Sequence, residues 1–274
     1  MLEFNNVSKK FCDNDKEILV LDNISFSVKK GEIVAVVGPS GAGKTTVLNL
    51  ISKLIEKDAG DIKVNGKVSY MFQRDCLLEW KSVYNNVILY SDINKKKLSK
   101  EEHDYIYKEA DRLLKEYGLW EFRNNKPSSL SGGMRQRVAL IRTLLSLPDL
   151  ILLDEAFSAL DYQTKLNVSN DIYSIIKKEN KTAVMVSHDI SEAIAMANKV
   201  IVLSKRPAKI KKIINIDLED IGPIERRKNQ NMHRNEWQWK RNNPKPVGHC
   251  KSSAKEKVHS NTGIPQETRK KSNK

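Results

Sequence analysis

Eight residues near the start of the chain, Gly38-Pro39-Ser40-Gly41-Ala42-Gly43-Lys44-Thr45, place three glycines, one lysine and one hydroxyl at the spacing G-x-x-x-x-G-K-[ST]. Glycines let a backbone approach phosphate oxygens closely, and the N–H groups of the helix that follows add positive dipole. Lys44 suits the β and γ oxygens of a nucleotide, and the hydroxyl of Thr45, followed by Thr46, suits a Mg²⁺ ion. An ordinary glycine-rich turn explains neither Lys44 nor Thr45. A second small-residue turn, Ser131-Gly132-Gly133, opens another helical pattern but has no lysine. Two carboxylates, Asp154 and Glu155, end the apolar run Leu150-Ile151-Leu152-Leu153. Asp154 suits the Mg²⁺ side of a nucleotide site at the C-terminal edge of a strand. Glu155 can orient or deprotonate an attacking water. His188 ends the apolar run before it, and Gln73 ends another. Neither residue type at a strand end identifies a function without its neighbours.

These side chains need strands to end beside them and helices to begin there. Ile33 to Val37 is a continuous β-branched run, which predicts a strand buried on both faces just before the glycine-rich turn. Helical spacing follows from Lys44 through Val47, Leu48, Leu50, Ile51 and Leu54. The segments at 2–7 and 23–28 alternate like half-buried antiparallel strands. Residues 61–72 read as two short strands around Asn65-Gly66, a hairpin-type turn signal. From Ser82 to Leu130 the pattern is helical. Ser99 and Glu102 make a capping box ahead of an apolar face of Ile106, Ala110, Leu113 and Leu114, with Gly118 as C-terminal stop. Strands return at 150–154, 182–187, 199–204 and 212–215, with a helix at Tyr162 to Lys178. Strands alternating with helices predict an α/β fold with a parallel core.

Composition narrows the class of protein. The chain has 274 residues, of which 39% are apolar and 30% charged, enough for a substantial core. Its apolar runs are strand-sized, well short of the roughly 20 residues of a membrane helix. The start, Met1 to Phe11, has no apolar stretch after its charges, so no signal peptide is expected. Cys12, Cys76 and Cys250 are scattered, which argues against a disulfide scaffold or zinc site and fits a reducing compartment. The net charge of +14 is uneven. Residues 225–274 carry 14 Lys+Arg against 4 Asp+Glu, so residues 1–224 hold 34 basic and 30 acidic groups. The basic signal belongs to the tail and gives no reason to expect a nucleic acid partner for the body. The tail also has only 8 apolar residues in 50, too few to offset its ordering entropy. The Trp residues and the Lys95-Lys96-Lys97 run read as core, contact or solvated surface.

In this order the motifs resemble those of the ATP-binding subunit of an ABC transporter, over about residues 1–216. Phe11 matches the aromatic that stacks on adenine, residues 38–45 the Walker A sequence, and Gln73 the Q-loop. Leu130-Ser131-Gly132-Gly133-Met134 matches the signature, and 150–155 Walker B with Glu155 as catalytic glutamate. Residues 158–161 match the D-loop and His188 the switch histidine. The resemblance implies a P-loop NTPase with a mixed core sheet, an N-terminal antiparallel β subdomain and a helical subdomain insert. The ATPase domain would span 1–222 with the insert at about 82–146, followed by a basic tail, 223–274, without stable order. Lys44, Glu155 and His188 would be catalytic. Thr45, Gln73 and Asp154 would hold Mg²⁺, and Phe11, residues 38–46, Gln73 and Ser131 to Gly133 would hold ATP.

In this family two chains clamp two ATP molecules head to tail, so Ser131 and Gly133 of one chain would meet the γ-phosphate held by Lys44 of the other. The second anion site lacks a lysine because it completes a nucleotide bound elsewhere. The stretch Phe72 to Trp80 and the segment after His188, including Arg206-Pro207, are similar to the nitrate, sulfonate and taurine class of importers. Permease subunits, an extracytoplasmic solute-binding protein and a place on the cytoplasmic face of the membrane follow from that class. Ala156 and Glu79 stand where the class has proline, and Glu79 lies where the family meets its permease. The competing reading is a soluble ABC-type ATPase acting on nucleic acid or the ribosome. Such relatives carry two cassettes or a long insertion, whereas here 57 residues separate Gln73 from Ser131. For the tail, either a lipid-touching basic segment or a shifted reading frame after about Asn229 fits the loss of pattern.

Overall fold

A computed structural model of the chain describes residues 1–13, 16–158, 160–216 and 222–228. Strand β1 (Leu2–Asp13) pairs antiparallel with β2 (Lys16–Val28) on one side and with β4 (Ala59–Val64) on the other. Its inward residues alternate as the sequence predicts, and the Phe4 and Phe26 rings stack 4.6 Å apart. The main sheet has six strands, in the order β5 (Val68–Met71), β6 (Leu150–Asp154), β7 (Thr182–Ser187), β3 (Ile33–Val37), β8 (Lys199–Leu203) and β9 (Ile210–Asn215). Its first five strands run parallel and β9 runs antiparallel at the edge.

The continuous apolar runs are explained by two cores, one on each face of this sheet. Val34, Val36, Leu150, Leu152, Val184 and Val186 face the antiparallel sheet and helix α1 (Lys44–Ile51). Ile33, Ala35, Val37, Ile151, Leu153, Ala183 and Met185 face the other helices. Those are α2 (Val83–Val87), α3 (Leu89–Ile93), α4 (Lys100–Glu116), α5 (Gly132–Leu144), α6 (Tyr162–Lys178) and α7 (Ile190–Met196). Four of them begin at a capping side chain: Ser82, Ser131, Asp161 and Asp189 each accept a backbone N–H of the first turn. The capping box of α4 forms in both directions between Ser99 and Glu102, and Gly118 takes φ 68° just past its end. Lys95, Lys96 and Lys97 are exposed, and Trp80 stands 72% exposed.

Three expectations are corrected. Residues 61–72 do not form a hairpin. Val64 pairs with Leu2 in the antiparallel sheet, whereas Val68 pairs with Leu150 in the main sheet. The turn between them is held by tertiary bonds instead, Asn65 N–H to the Met1 carbonyl and Lys67 N–H to Asp149. The helix after the glycine-rich turn stops at Ile51, and Leu54 is 59% exposed. The body also extends past 222. Helix α8 (Pro223–Lys228) packs on α6 and α7, and the buried Arg226 donates to the carbonyls of Ala195 and Ala197 at the end of α7. A terminal helix carbonyl row is a natural site for a cation, which is why a basic segment orders here. The expectations for the tail beyond 228 lie outside the described residues, as do Ala159 and Cys250.

Candidate functional site

Strand β3 runs between β7 and β8 and delivers residues 38–43 to the C-terminal edge of the sheet. There the backbone turns sharply, with Gly41 at φ 73° and Gly43 at φ 84°. A side chain at Gly43 is excluded twice, since its Cβ would lie 2.8 Å from Val20 Cγ1 in an unfavourable backbone region. Gly43 is also the N-cap of α1 and supplies no capping side chain, leaving first-turn N–H groups for an external anion. Lys44 is 7% exposed, with Nζ 3.2 Å from the carbonyls of Gly38 and Pro39. Those two bonds lay its ammonium along the turn that would embrace the phosphates.

Next to it, Thr45 Oγ1 donates to Asp154 Oδ1 at 3.2 Å, and the phenol of Tyr70 donates to Asp154 Oδ2 at 3.0 Å. Burial raises the Asp154 carboxyl above its ordinary value, and the Tyr70 and Thr45 hydrogen bonds oppose this. Burial, then the Asp154 charge, pushes the Tyr70 phenol far up, so it stays a donor. A hydroxyl and a carboxylate side by side fit a hard divalent cation, which takes oxygen ligands.

Glu155 continues the sheet through its N–H to the Val186 carbonyl, yet its φ is 44°, a strained value for a non-glycine residue. The turn swings its carboxylate to His188, with Oε2 and Nδ1 3.2 Å apart. Below His188 lies a charged network. Lys165 of α6 bridges Asp189 at 2.8 Å and Glu192 at 3.3 Å, and Ser187 Oγ donates to Glu192 Oε2 at 2.6 Å. Glu192 is 4% exposed and burial raises its carboxyl, whereas Asp189, bonded to Lys165, is held low despite its burial.

A cavity of about 420 Å³ opens over these groups. It is lined by Ser40, Gly41, Gly43, Lys44, Thr45, Thr46 and Glu155, with Phe11, Ile18 and Val20 from the antiparallel sheet and Arg206 from the β8–β9 turn. Of the other residues singled out from the sequence, Gly38 and Pro39 hold Lys44, Asp154 holds Thr45, and His188 holds Glu155. Ala42 is buried in the core under the turn. Gln73 donates to Ser158 Oγ at 3.1 Å, beside the cavity's acidic end but outside its lining. The loop after Gln73 is fastened to α5, Arg135 pairing with Asp75 and Glu79 and Arg142 binding the carbonyls of Asp75 and Cys76.

Ser131, Gly132 and Gly133 are not brought to the cavity. Ser131 and Gly132 are exposed at the start of α5, and Gly133 packs so tightly that a Cβ would lie 3.0 Å from Val168. Sequence reasoning gave no role to Ile18, Val20, Tyr70 or Arg206. Arg206 sits three residues beyond the end of β8, at the sheet edge where α/β proteins place ligands, and that position was its signal. Tyr70 had none, because its reach to Asp154 depends on how β5 pairs with β6.

The family described as ABC transporter matches residues 21–158. The chain belongs to the ABC transporter family. It is 39% identical over 230 residues to the uncharacterized ABC transporter ATP-binding protein YtlC of Bacillus subtilis, covering 80% of this chain and 85% of that one. It is 35% identical over 230 residues to the taurine import ATP-binding protein TauB of Roseobacter denitrificans, covering 81% and 84%. It is 35% identical over 236 residues to the aliphatic sulfonates import ATP-binding protein SsuB of Bacillus cereus, covering 83% and 89%. Among solved structures it is similar to the dimeric, post-hydrolysis ATP-binding cassette MJ0796 bound to ADP and Pi. The TM-score is 0.67 at 30% identity, over 80% of this chain and all of that one. The chain is therefore an ATP-binding, ATP-hydrolysing subunit of a transport system.

Proposed function

We propose that this ABC ATPase works as a pair of identical chains beneath separate permease subunits on the cytoplasmic face of the cell membrane. It powers uptake of a small solute of the nitrate, sulfonate or taurine kind, handed over by an extracytoplasmic binding protein. The named taurine and sulfonate import relatives support the import direction and the solute class. No described helix is long and apolar enough to cross a membrane, which fits a partner that does. Nucleic acid has no part in this reading, in keeping with the near balance of charge over residues 1–224.

The observation that carries the paired arrangement is the division of the site. One chain lines one cavity with Ser40, Gly41, Gly43 to Thr46 and Glu155, backed by Asp154 on Thr45 and His188 on Glu155, while Ser131 and Gly132 stand exposed outside its lining. A second chain, turned head to tail, completes it. Phe11 stacks on the adenine, and the 38–46 backbone with Lys44 holds the β and γ phosphates. Thr45, Asp154 and Gln73 would hold Mg²⁺, which supplies charge neutralisation on the phosphates when bound. The Glu155 carboxylate takes the proton of a water whose oxygen attacks the γ-phosphorus as the bond to ADP breaks. His188 keeps Glu155 aimed. ATP closes the pair because its γ-phosphate gains the Ser131 to Gly133 donors of the partner, and hydrolysis removes them. Size-exclusion chromatography of Glu155→Gln tests this. A dimer with ATP and a monomer with ADP is expected, and a monomer in both would overturn the paired site.

A further inference from the structure

We propose that Arg206 is a second cationic contact for the nucleotide's phosphate chain, supplied from outside the glycine-rich turn. The cavity has two cationic side chains in its lining, Lys44 and Arg206. Lys44 approaches from beneath, already engaged by two carbonyls. Arg206 approaches from the rim, and its Nη2 lies 3.0 Å from where a Cβ of Gly41 would stand. Gly41 belongs to the glycine-rich turn, so the guanidinium stands beside the backbone that would hold the phosphates.

The segment that carries Arg206 is fixed. Ala208 donates its N–H to the Val20 carbonyl at 2.8 Å and accepts from Asp22 N–H at 2.9 Å, which ties the turn to β2. Ser204 Oγ closes the same turn, donating to the carbonyl of Lys205 and accepting from the Lys209 N–H. Val20 itself lines the cavity, so one backbone junction sets both the wall and the backbone from which Arg206 projects. Among the described residues no carboxylate forms an ion pair with Arg206, so its charge is available to a ligand. A planar guanidinium with several donors in a fixed fork suits phosphate oxygens, and that fork loses less entropy per hydrogen bond than a flexible ammonium. The side chain is exposed, which keeps the gain modest.

The test uses the full chain and the variants R206A, R206Q and R206K, with calorimetric binding of ADP and ATP and steady-state hydrolysis. R206A is expected to weaken ADP and ATP by the same factor, on the order of tenfold as for a charge-assisted hydrogen bond at a partly open site. KM should rise with kcat at saturating ATP unchanged. R206Q keeps length and hydrogen bonding without charge and should resemble R206A, with a flatter dependence of affinity on ionic strength than the parent. R206K should recover part of the loss. Parent-like ADP affinity in R206A, an R206Q that binds like the parent, or an unchanged ionic-strength dependence would each overturn the proposal. The last would make Arg206 a prop for Gly41 rather than a ligand contact.

Discussion

Lys165→Met removes the cation that faces Glu192 and Asp189 beneath His188. Lys165 is 13% exposed and the Glu192 side chain 5%, so neither is solvated enough for water to replace the pair. Leaving a buried charge without its partner costs about 3–5 kcal/mol. Glu192 has an escape, because it can take up a proton. Its ordinary pKa is 4.5. Protonation at pH 7 therefore limits its loss to at most about 3.4 kcal/mol, and at pH 5.5 to at most about 1.4 kcal/mol, at 1.36 kcal/mol per unit.

The sign follows from the direction of the shift. A raised carboxyl holds its proton more tightly folded than unfolded, so stability falls as pH rises from 4.5 through the folded value. The substitution moves that upper limit higher. Lys165's own raised pKa lies above this window, so its stabilisation is fully present throughout it. Asp189, 32% exposed and still bonded by the Glu192 N–H, loses much less than Glu192 when Lys165 is removed. Urea unfolding followed by far-ultraviolet circular dichroism should give a destabilisation of about 2–3 kcal/mol at pH 7 and about 1 kcal/mol at pH 5.5. An equal loss at both, or a larger one at pH 5.5, would refute the assignment of Glu192 as the charge that Lys165 holds.

Glu155→Gln should bind ATP normally and hydrolyse it at least about 100-fold more slowly, as expected for a lost general base, in a phosphate-release assay. Ser131→Arg should leave the ATP affinity of the isolated chain unchanged while abolishing the cooperative dependence of turnover on protein concentration; cooperative turnover in that variant would contradict the shared site. Tyr70→Phe removes a donor to Asp154 but no side chain of the cavity lining, so the Mg²⁺ concentration for half-maximal hydrolysis should rise by about tenfold. ATP affinity measured without divalent cation should stay as it was.

The sequence alone made the chemistry of the nucleotide turn legible. G-x-x-x-x-G-K-T between a continuous β-branched run and a helical pattern is a local statement, because glycine φ, helix N-terminal N–H groups and strand burial are decided within a few residues of one another. The helix Tyr162–Lys178, the capping box at Ser99 and the two-faced burial of Ile33–Val37 were legible for the same reason. Where local signals allow two pairings, they fail. Asn65-Gly66 has the residues of a hairpin turn, yet Val64 and Val68 join different sheets, because Met1 and Asp149 offer the turn its backbone partners. Residues 223–228 look like a basic tail until the end of α7 presents carbonyls that Arg226 can satisfy. Tyr70 over Asp154, Lys165 between Asp189 and Glu192, and Arg206 above Gly41 join residues far apart in the chain. Tertiary structure alone decided these, because each rests on which strand ends lie side by side, and strand order is set by burying both faces of the sheet at once.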